Sequence, residues 1–263
     1  MTAPVPSAAP TGTPGRRSPW LTGRAPAQAP ERHLYCFPHS GGFPGEYVRW
    51  GQQLPGTQVY GVCPPGRGGR VSEAPLTDLD TLVRELLDST EFVPPYDLFG
   101  HSLGALVAYE VTRELIARRR PLPERLIVSA FPAPHLPRQA AGLADTPDGE
   151  LLAVLDERHG GIPPQIAADP ELLTLLLPVF RADLTLLDNY RHRETGPLPV
   201  PLVVLGGDAD TVTAEDLEQW KEHSTEAVRV RRYPGGHFYF RDDPAPLLSV
   251  LARRDGGHAL PTP

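Results

Sequence analysis

The sequence predicts an α/β fold, with a mainly parallel sheet, helices on both faces and a helical lid insertion. Three observations carry this. Short apolar runs of strand length alternate with stretches of helical periodicity over residues 33–253. The runs are separated by whole helical segments rather than by tight turns, as parallel neighbours require. Between the fourth and fifth runs, residues 131–199 are far too long for a structureless loop in a compact domain, so a helical lid over the carboxyl ends of the strands is expected. At 263 residues the chain suffices for one such domain and its core.

Each element follows in order. Residues 1–30 are mainly Pro, Ala, Gly, Ser and Thr with a few Arg, too little apolar surface to offset the entropy of ordering, and a disordered tail is expected there. The domain then runs over 31–254. Residues 33–37 form a first strand, 45–54 a short helix and 58–63 a second strand, followed by a Gly/Pro/Arg loop over 64–69. Leu79, Leu82, Val83, Leu86 and Leu87 recur at helical spacing, which predicts a helix over 79–87. A third strand is expected over 96–99, a helix over 103–118, and further strands over 125–130, 201–205 and 227–232. A last helix covers 245–253, and 255–263 form a flexible tail. Inside the insertion, 150–157 and 170–190 read as helices. The second carries Leu172, Leu173, Leu176, Leu177, Phe180, Leu184 and Leu187, more than one packed face needs, so some are expected to line a substrate channel.

Bulk properties exclude several function classes. Apolar residues at 40% and charged residues at 22% are those of an ordinary globular chain. A net charge of −7, with Lys221 the single lysine, argues against nucleic acid as a partner, because phosphate binding needs clustered cations. No run of about 18 apolar residues offers a membrane span, and the amino end lacks the apolar centre of a secretory signal. A cytoplasmic protein is expected. Cys36 and Cys63 sit in apolar runs without metal-ligand spacing, which predicts buried free thiols.

The chemistry is carried by Gly100-His101-Ser102-Leu103-Gly104, between a predicted strand and a predicted helix. Gly-x-Ser-x-Gly in that setting is a nucleophile elbow. The serine stands in a strained turn with its Oγ above the sheet, and flanking side chains would clash with the adjoining strand and helix. Ser102 is therefore the candidate nucleophile of an α/β-hydrolase fold. A serine hydroxyl needs a base, and in this fold an acid and then a histidine follow it in the chain. Of nine histidines, His237 stands after the last predicted strand in Gly235-Gly236-His237-Phe238, where paired glycines let the loop bring an imidazole to the elbow. The acid should follow the fifth strand, where Gly206-Gly207-Asp208-Ala209-Asp210 offers two. The usual spacing from Gly207 selects Asp210, leaving Asp208 to hydrogen-bond its own turn. An oxyanion hole needs two backbone N–H groups: Leu103, following the nucleophile, and one from the loop Phe37-Pro38-His39-Ser40-Gly41-Gly42, with Ser40 preferred and Gly41 the alternative. A small-molecule carboxylesterase and a non-catalytic binding protein of the same fold stay open at this point.

These residues resemble the type II thioesterases of polyketide and nonribosomal peptide synthase pathways. The resemblance spans about residues 33–253. It rests on Phe37-Pro38-His39-Ser40-Gly41-Gly42, Pro64-Pro65-Gly66-Arg67, the elbow, Pro178-Val179-Phe180-Arg181-Ala182-Asp183, Gly206-Gly207-Asp208-Ala209-Asp210 and Gly235-Gly236-His237-Phe238. Ser40 departs from the alanine frequent in the family, which leaves its amide role intact. The resemblance implies hydrolysis of acyl groups from the phosphopantetheine arm of acyl carrier or peptidyl carrier domains. It implies no metal or bound cofactor, the pantetheine belonging to the substrate. No nucleic acid or membrane is expected as a partner, and the chain is expected to be a monomer. Arg67, Arg181 and Asp183 are expected to tie loop and lid by ion pairs, and Arg118-Arg119-Arg120 either docks an acidic carrier or serves the end of its helix.

Overall fold

A computed structural model of the chain describes residues 18–25, 28–137, 142–151 and 169–253. Seven strands are present among them: β1 (Leu21–Gly23), β2 (Arg32–Phe37), β3 (Thr57–Val62), β4 (Tyr96–His101), β5 (Arg125–Ser129), β6 (Leu202–Gly207) and β7 (Val228–Tyr233). They form one sheet in the order β1-β3-β2-β4-β5-β6-β7. Only the β1–β3 pair is antiparallel; each remaining pair is parallel. The helices are α1 (Pro44–Val48), α2 (Leu79–Ser89), α3 (Leu103–Ala117), α4 (Pro170–Asn189), α5 (Ala214–Glu218) and α6 (Ala245–Ala252).

β4, β5 and β6 are buried along their whole length, which explains why they read as unbroken apolar runs rather than alternating ones. Side chains of β2 leave the sheet alternately. Tyr35 and Phe37 join α2 and α3 in one apolar cluster, while Leu34 and Cys36 join α1 and α6 in the other. A buried charge cluster ties three strands together. Asp97 of β4 pairs with Arg32 of β2 and Arg125 of β5, and Arg125 also donates to the carbonyls of Val250 and Leu251 at the end of α6. At the opposite margin from β1, β7 carries Arg229, Arg231 and Arg232, none of them buried.

The expected strands and main helices are present, with local differences. The helix expected over 45–54 splits into α1 and a 3-10 turn, Arg49–Gln52, where Gly51 weakens helical continuation. The expectation of disorder through residue 30 does not hold for 18–25. Trp20 is 2% exposed and packs in the core, its ring lies 4.3 Å beneath the Arg70 guanidinium, and Leu21–Gly23 pairs with β3. A single indole supplies there the apolar area that the surrounding composition lacks. α5 has no counterpart among the expected elements; a Thr213–Asp216 capping box starts it. In the insertion, α4 begins at Asp169, whose carboxylate accepts the amides of Glu171 and Leu172. Of the helix expected over 150–157, only the first two residues lie within the described residues, and both terminal tails beyond 18 and 253 lie outside them. Cys36 and Cys63 are buried and unlinked. Among the described residues no helix is long and apolar enough to cross a membrane.

Candidate active site

The carboxyl ends of β2, β4, β6 and β7 lead into the four segments that the sequence singles out. This is the edge of a parallel sheet at which α/β folds bind ligands. Ser102 follows β4 and precedes α3, with φ 55° and ψ −124°. A positive φ on a non-glycine residue costs about 1–3 kcal/mol and persists only where the surroundings impose it. Here the Ser102 amide is anchored on the Ser129 carbonyl at 2.8 Å. The glycine requirement is steric. A Cβ on Gly104 would lie 2.0 Å from the Phe37 carbonyl oxygen, and one on Gly100 would lie 2.1 Å from that of Gly104.

The candidate acid and the candidate base meet. His237 Nδ1 lies 3.0 Å from Asp210 Oδ2 and 3.2 Å from Oδ1, with both side chains almost fully buried. Burial alone would push the Asp210 carboxyl up. The hydrogen bond and charge of His237, with the backbone N–H groups of Val212 and Thr211, outweigh it and hold the group below the usual carboxylate range. Asp210 is thus ionised at neutral pH and favours the His237 tautomer that carries its proton on Nδ1. The imidazole packs 5.0 Å, ring to ring, from His101, the residue before Ser102. His101 is itself buried and linked through Ser129 to Tyr239, a polar chain the sequence did not reveal. Asp208 does something other than close its own turn: its Oδ1 accepts the Gly235 amide at 3.0 Å and struts the loop carrying His237. Close passage of that loop requires Gly207, where a Cβ would lie 2.2 Å from the Gly236 carbonyl oxygen.

The loop after β2 turns at His39–Gly42, closed by Gly42 N–H donating to the His39 carbonyl at 2.8 Å, with Gly41 at φ 70°. Positive φ at the third position is what a type II turn demands. Ser40 is half-buried at this turn, and Leu103 is buried at the start of α3. The Gly41 amide donates to Asp183 Oδ2 at 2.8 Å, which removes it as the alternative oxyanion donor. The His39 side chain packs locally, hydrogen-bonded to Tyr47 and set against Phe238.

The insertion is tied down as expected. Arg67 pairs with Asp183 at 2.6 Å, and Arg181 reaches the carbonyls of Ala144 and Thr146 and the Asp148 carboxylate. Phe180 of α4 lies directly on Gly41, where a Cβ would come within 2.2 Å of its ring. The helix is therefore seated on the loop after β2. Arg118 pairs with Glu114 and Asp88, and Arg120 donates to the Leu87 and Thr90 carbonyls, so this triplet joins α2 to α3. Among the described residues, no group of His, Cys, Asp and Glu is arranged to hold a metal ion.

Comparisons with known proteins give the family. The family model described as "Thioesterase domain" matches residues 32–253. Linear gramicidin dehydrogenase LgrE from Brevibacillus parabrevis is 33% identical, over 89% of this chain and 91% of its own. Thioesterase PikA5 from Streptomyces venezuelae is 34% identical, over 85% and 80%. The structure of the type II thioesterase BorB, from the borrelidin biosynthetic cluster, superposes with a TM-score of 0.81 at 34% identity, covering 89% of this chain and 96% of that one. One of these names speaks of a dehydrogenase, whereas the family match, PikA5 and BorB all speak of thioesterases. With an elbow serine at the mouth of a parallel sheet and a family match running through nearly all of that sheet, the chain belongs to the thioesterase family, a type II thioesterase of the α/β-hydrolase fold.

Proposed function

We propose that the chain frees stalled synthase carriers: it hydrolyses acyl groups from the phosphopantetheine arm of acyl carrier or peptidyl carrier domains through Ser102, His237 and Asp210. The observation that carries this reading is the buried His237–Asp210 hydrogen bond beside a serine in strained backbone geometry. Ser102 Oγ attacks the thioester carbonyl as His237 Nε2 takes its proton. The N–H groups of Ser40 and Leu103 hold the oxyanion, and the collapsing intermediate expels the pantetheine sulfur, which receives the proton from His237. Water then adds to the acyl-Ser102 ester, giving its proton to His237, which returns it to Ser102 Oγ as the carboxylic acid leaves. A thioester has weak resonance stabilisation and a good leaving group, so this machinery suffices with no further group. BorB comes from a biosynthetic cluster for borrelidin, and that setting supports a carrier-bound substrate for this chain.

Labelling by a fluorophosphonate, followed by turnover of acyl-loaded carrier protein against a matched oxygen ester, tests the proposal. Ser102→Ala is expected to abolish both labelling and turnover. A strong preference for the oxygen ester would transfer the chain to the small-molecule esterases, and undiminished labelling in Ser102→Ala would remove the serine from the mechanism.

A further inference from the structure

Asp183 is an unusual place to find a charge. It lies in the middle of α4, is 2% exposed, and divides its two oxygens between different parts of the protein. Oδ1 takes the Arg67 guanidinium at 2.6 Å, and Oδ2 takes the Gly41 amide at 2.8 Å. Arg67 is 4% exposed and also donates to the Gly42 carbonyl at 3.4 Å. The central peptide and the carboxyl end of the His39–Gly42 turn are thereby bound to one buried ion pair. The Gly41 N–H belongs to the central peptide of that turn, and the choice between type I and type II turns is a flip of this peptide. A buried carboxylate facing the amide stabilises the orientation observed; after a flip it would face the Ser40 carbonyl oxygen instead. A buried charge left without its partner is costly, so the arrangement holds as a unit.

We infer that Asp183 is a positioning residue for the oxyanion loop: from the insertion helix, and braced by Arg67, it fixes the turn that presents the Ser40 N–H to the developing negative charge. This rests on the assignment of Ser40 as an oxyanion donor. The carboxylate does not touch the substrate; it acts through the Gly41 peptide. Turnover is thereby coupled to the seating of α4, since the helix brings the carboxylate and Phe180 to the same glycine. Asn at 183 keeps one acceptor oxygen but places an NH2 donor where the other stood, so either the Gly41 N–H or the Arg67 guanidinium then faces a donor.

The test compares kcat and KM for an acyl-pantetheine thioester, and the rate of fluorophosphonate labelling of Ser102, in the full chain and in Asp183→Ala, Asp183→Asn and Arg181→Ala. Removing an oxyanion donor outright costs about 10²–10³ in kcat, and misplacing one costs less. Asp183→Ala is expected to lose about 10–100-fold in kcat and in labelling rate. Its KM stays within about three-fold, and the pH at which kcat/KM falls is unchanged, because the His237–Asp210 pair is untouched. Arg181→Ala loosens the same helix elsewhere and is expected to retain kcat within about two-fold. If Asp183→Ala does not fold, Asp183→Asn decides on the same readouts, with a loss of about ten-fold expected. Wild-type kcat in the Asp183 variants, a loss confined to KM, or an equal loss in Arg181→Ala would overturn the inference. A chain that labels at Ser102 but cleaves no thioester would sink the substrate assignment alone, and the labelling rates then judge Asp183. A chain that does neither removes the oxyanion loop's role and this inference with it.

Discussion

Two aspartates separated by one residue divide the support of a single histidine. Asp210 reaches the ring of His237, and Asp208 reaches the backbone two residues before it. Asp210→Asn keeps the shape but offers the ring an amide that favours the wrong tautomer, and a fall of about 10³–10⁴-fold in kcat is expected at little cost in Tm. Asp208→Asn still presents an oxygen to the Gly235 amide, and its kcat is expected to stay within about ten-fold. Steady-state turnover of an acyl-pantetheine thioester distinguishes the two, and equal losses would undo the division of labour. Each candidate of the proposed triad stands out in the sequence because it is punctuated locally by glycines whose steric reason the backbone supplies. The Arg67–Asp183 pair gave only a general expectation of ion pairing. Its partners stand 116 positions apart, and their shared grip on Gly41 depends on how the insertion settles, which no local pattern encodes.

At the scale of elements, the β4–α3 junction leaves no room for side chains at two glycines. α3 starts so close to β2 that Gly104 cannot carry a side chain. Gly104→Ala is expected to displace the helix start, destabilising the fold by about 1–3 kcal/mol or more and lowering turnover together with the unfolding midpoint in a denaturant titration. An alanine variant with native stability and rate would show that α3 has room to retreat. The longer elements were readable because their periodicity extends over several turns or a full buried run. The short ones were not. β1 is three residues whose position depends on Trp20 finding a place in the core, and α5 is a five-residue helix that rests on its Thr213–Asp216 cap. Such elements are set by tertiary contact more than by pattern.

For the molecule as a whole, stability depends on features away from the site. Trp20→Ala removes a fully packed indole and is expected to cost about 3–5 kcal/mol in equilibrium unfolding, so the amino-terminal segment is not dispensable throughout. Acid should also unfold the protein early. His223 is enclosed between Tyr109, Trp220, His135 and His192, and burial first, then the charges of His135, His192 and Arg113, push its pKa down to about 4. An unfolded imidazole takes up a proton near 6.5, whereas the folded one refuses it until about 4. The stability linked to this group is therefore complete above about pH 6.5 and drains away as the pH falls toward 4. Tm should drop between pH 7 and pH 5, and the drop should shrink in His223→Gln; an identical drop in that variant would assign the effect to other groups. The arginines along β7 bear on how copies of the protein behave when crowded. Among the described residues β7 pairs on one side only, a margin that invites a further strand from a neighbour, but two such margins brought face to face would align guanidinium against guanidinium. Repulsion of this kind weakens as salt rises, so concentrated stocks of the protein should keep their dispersity best in dilute buffer.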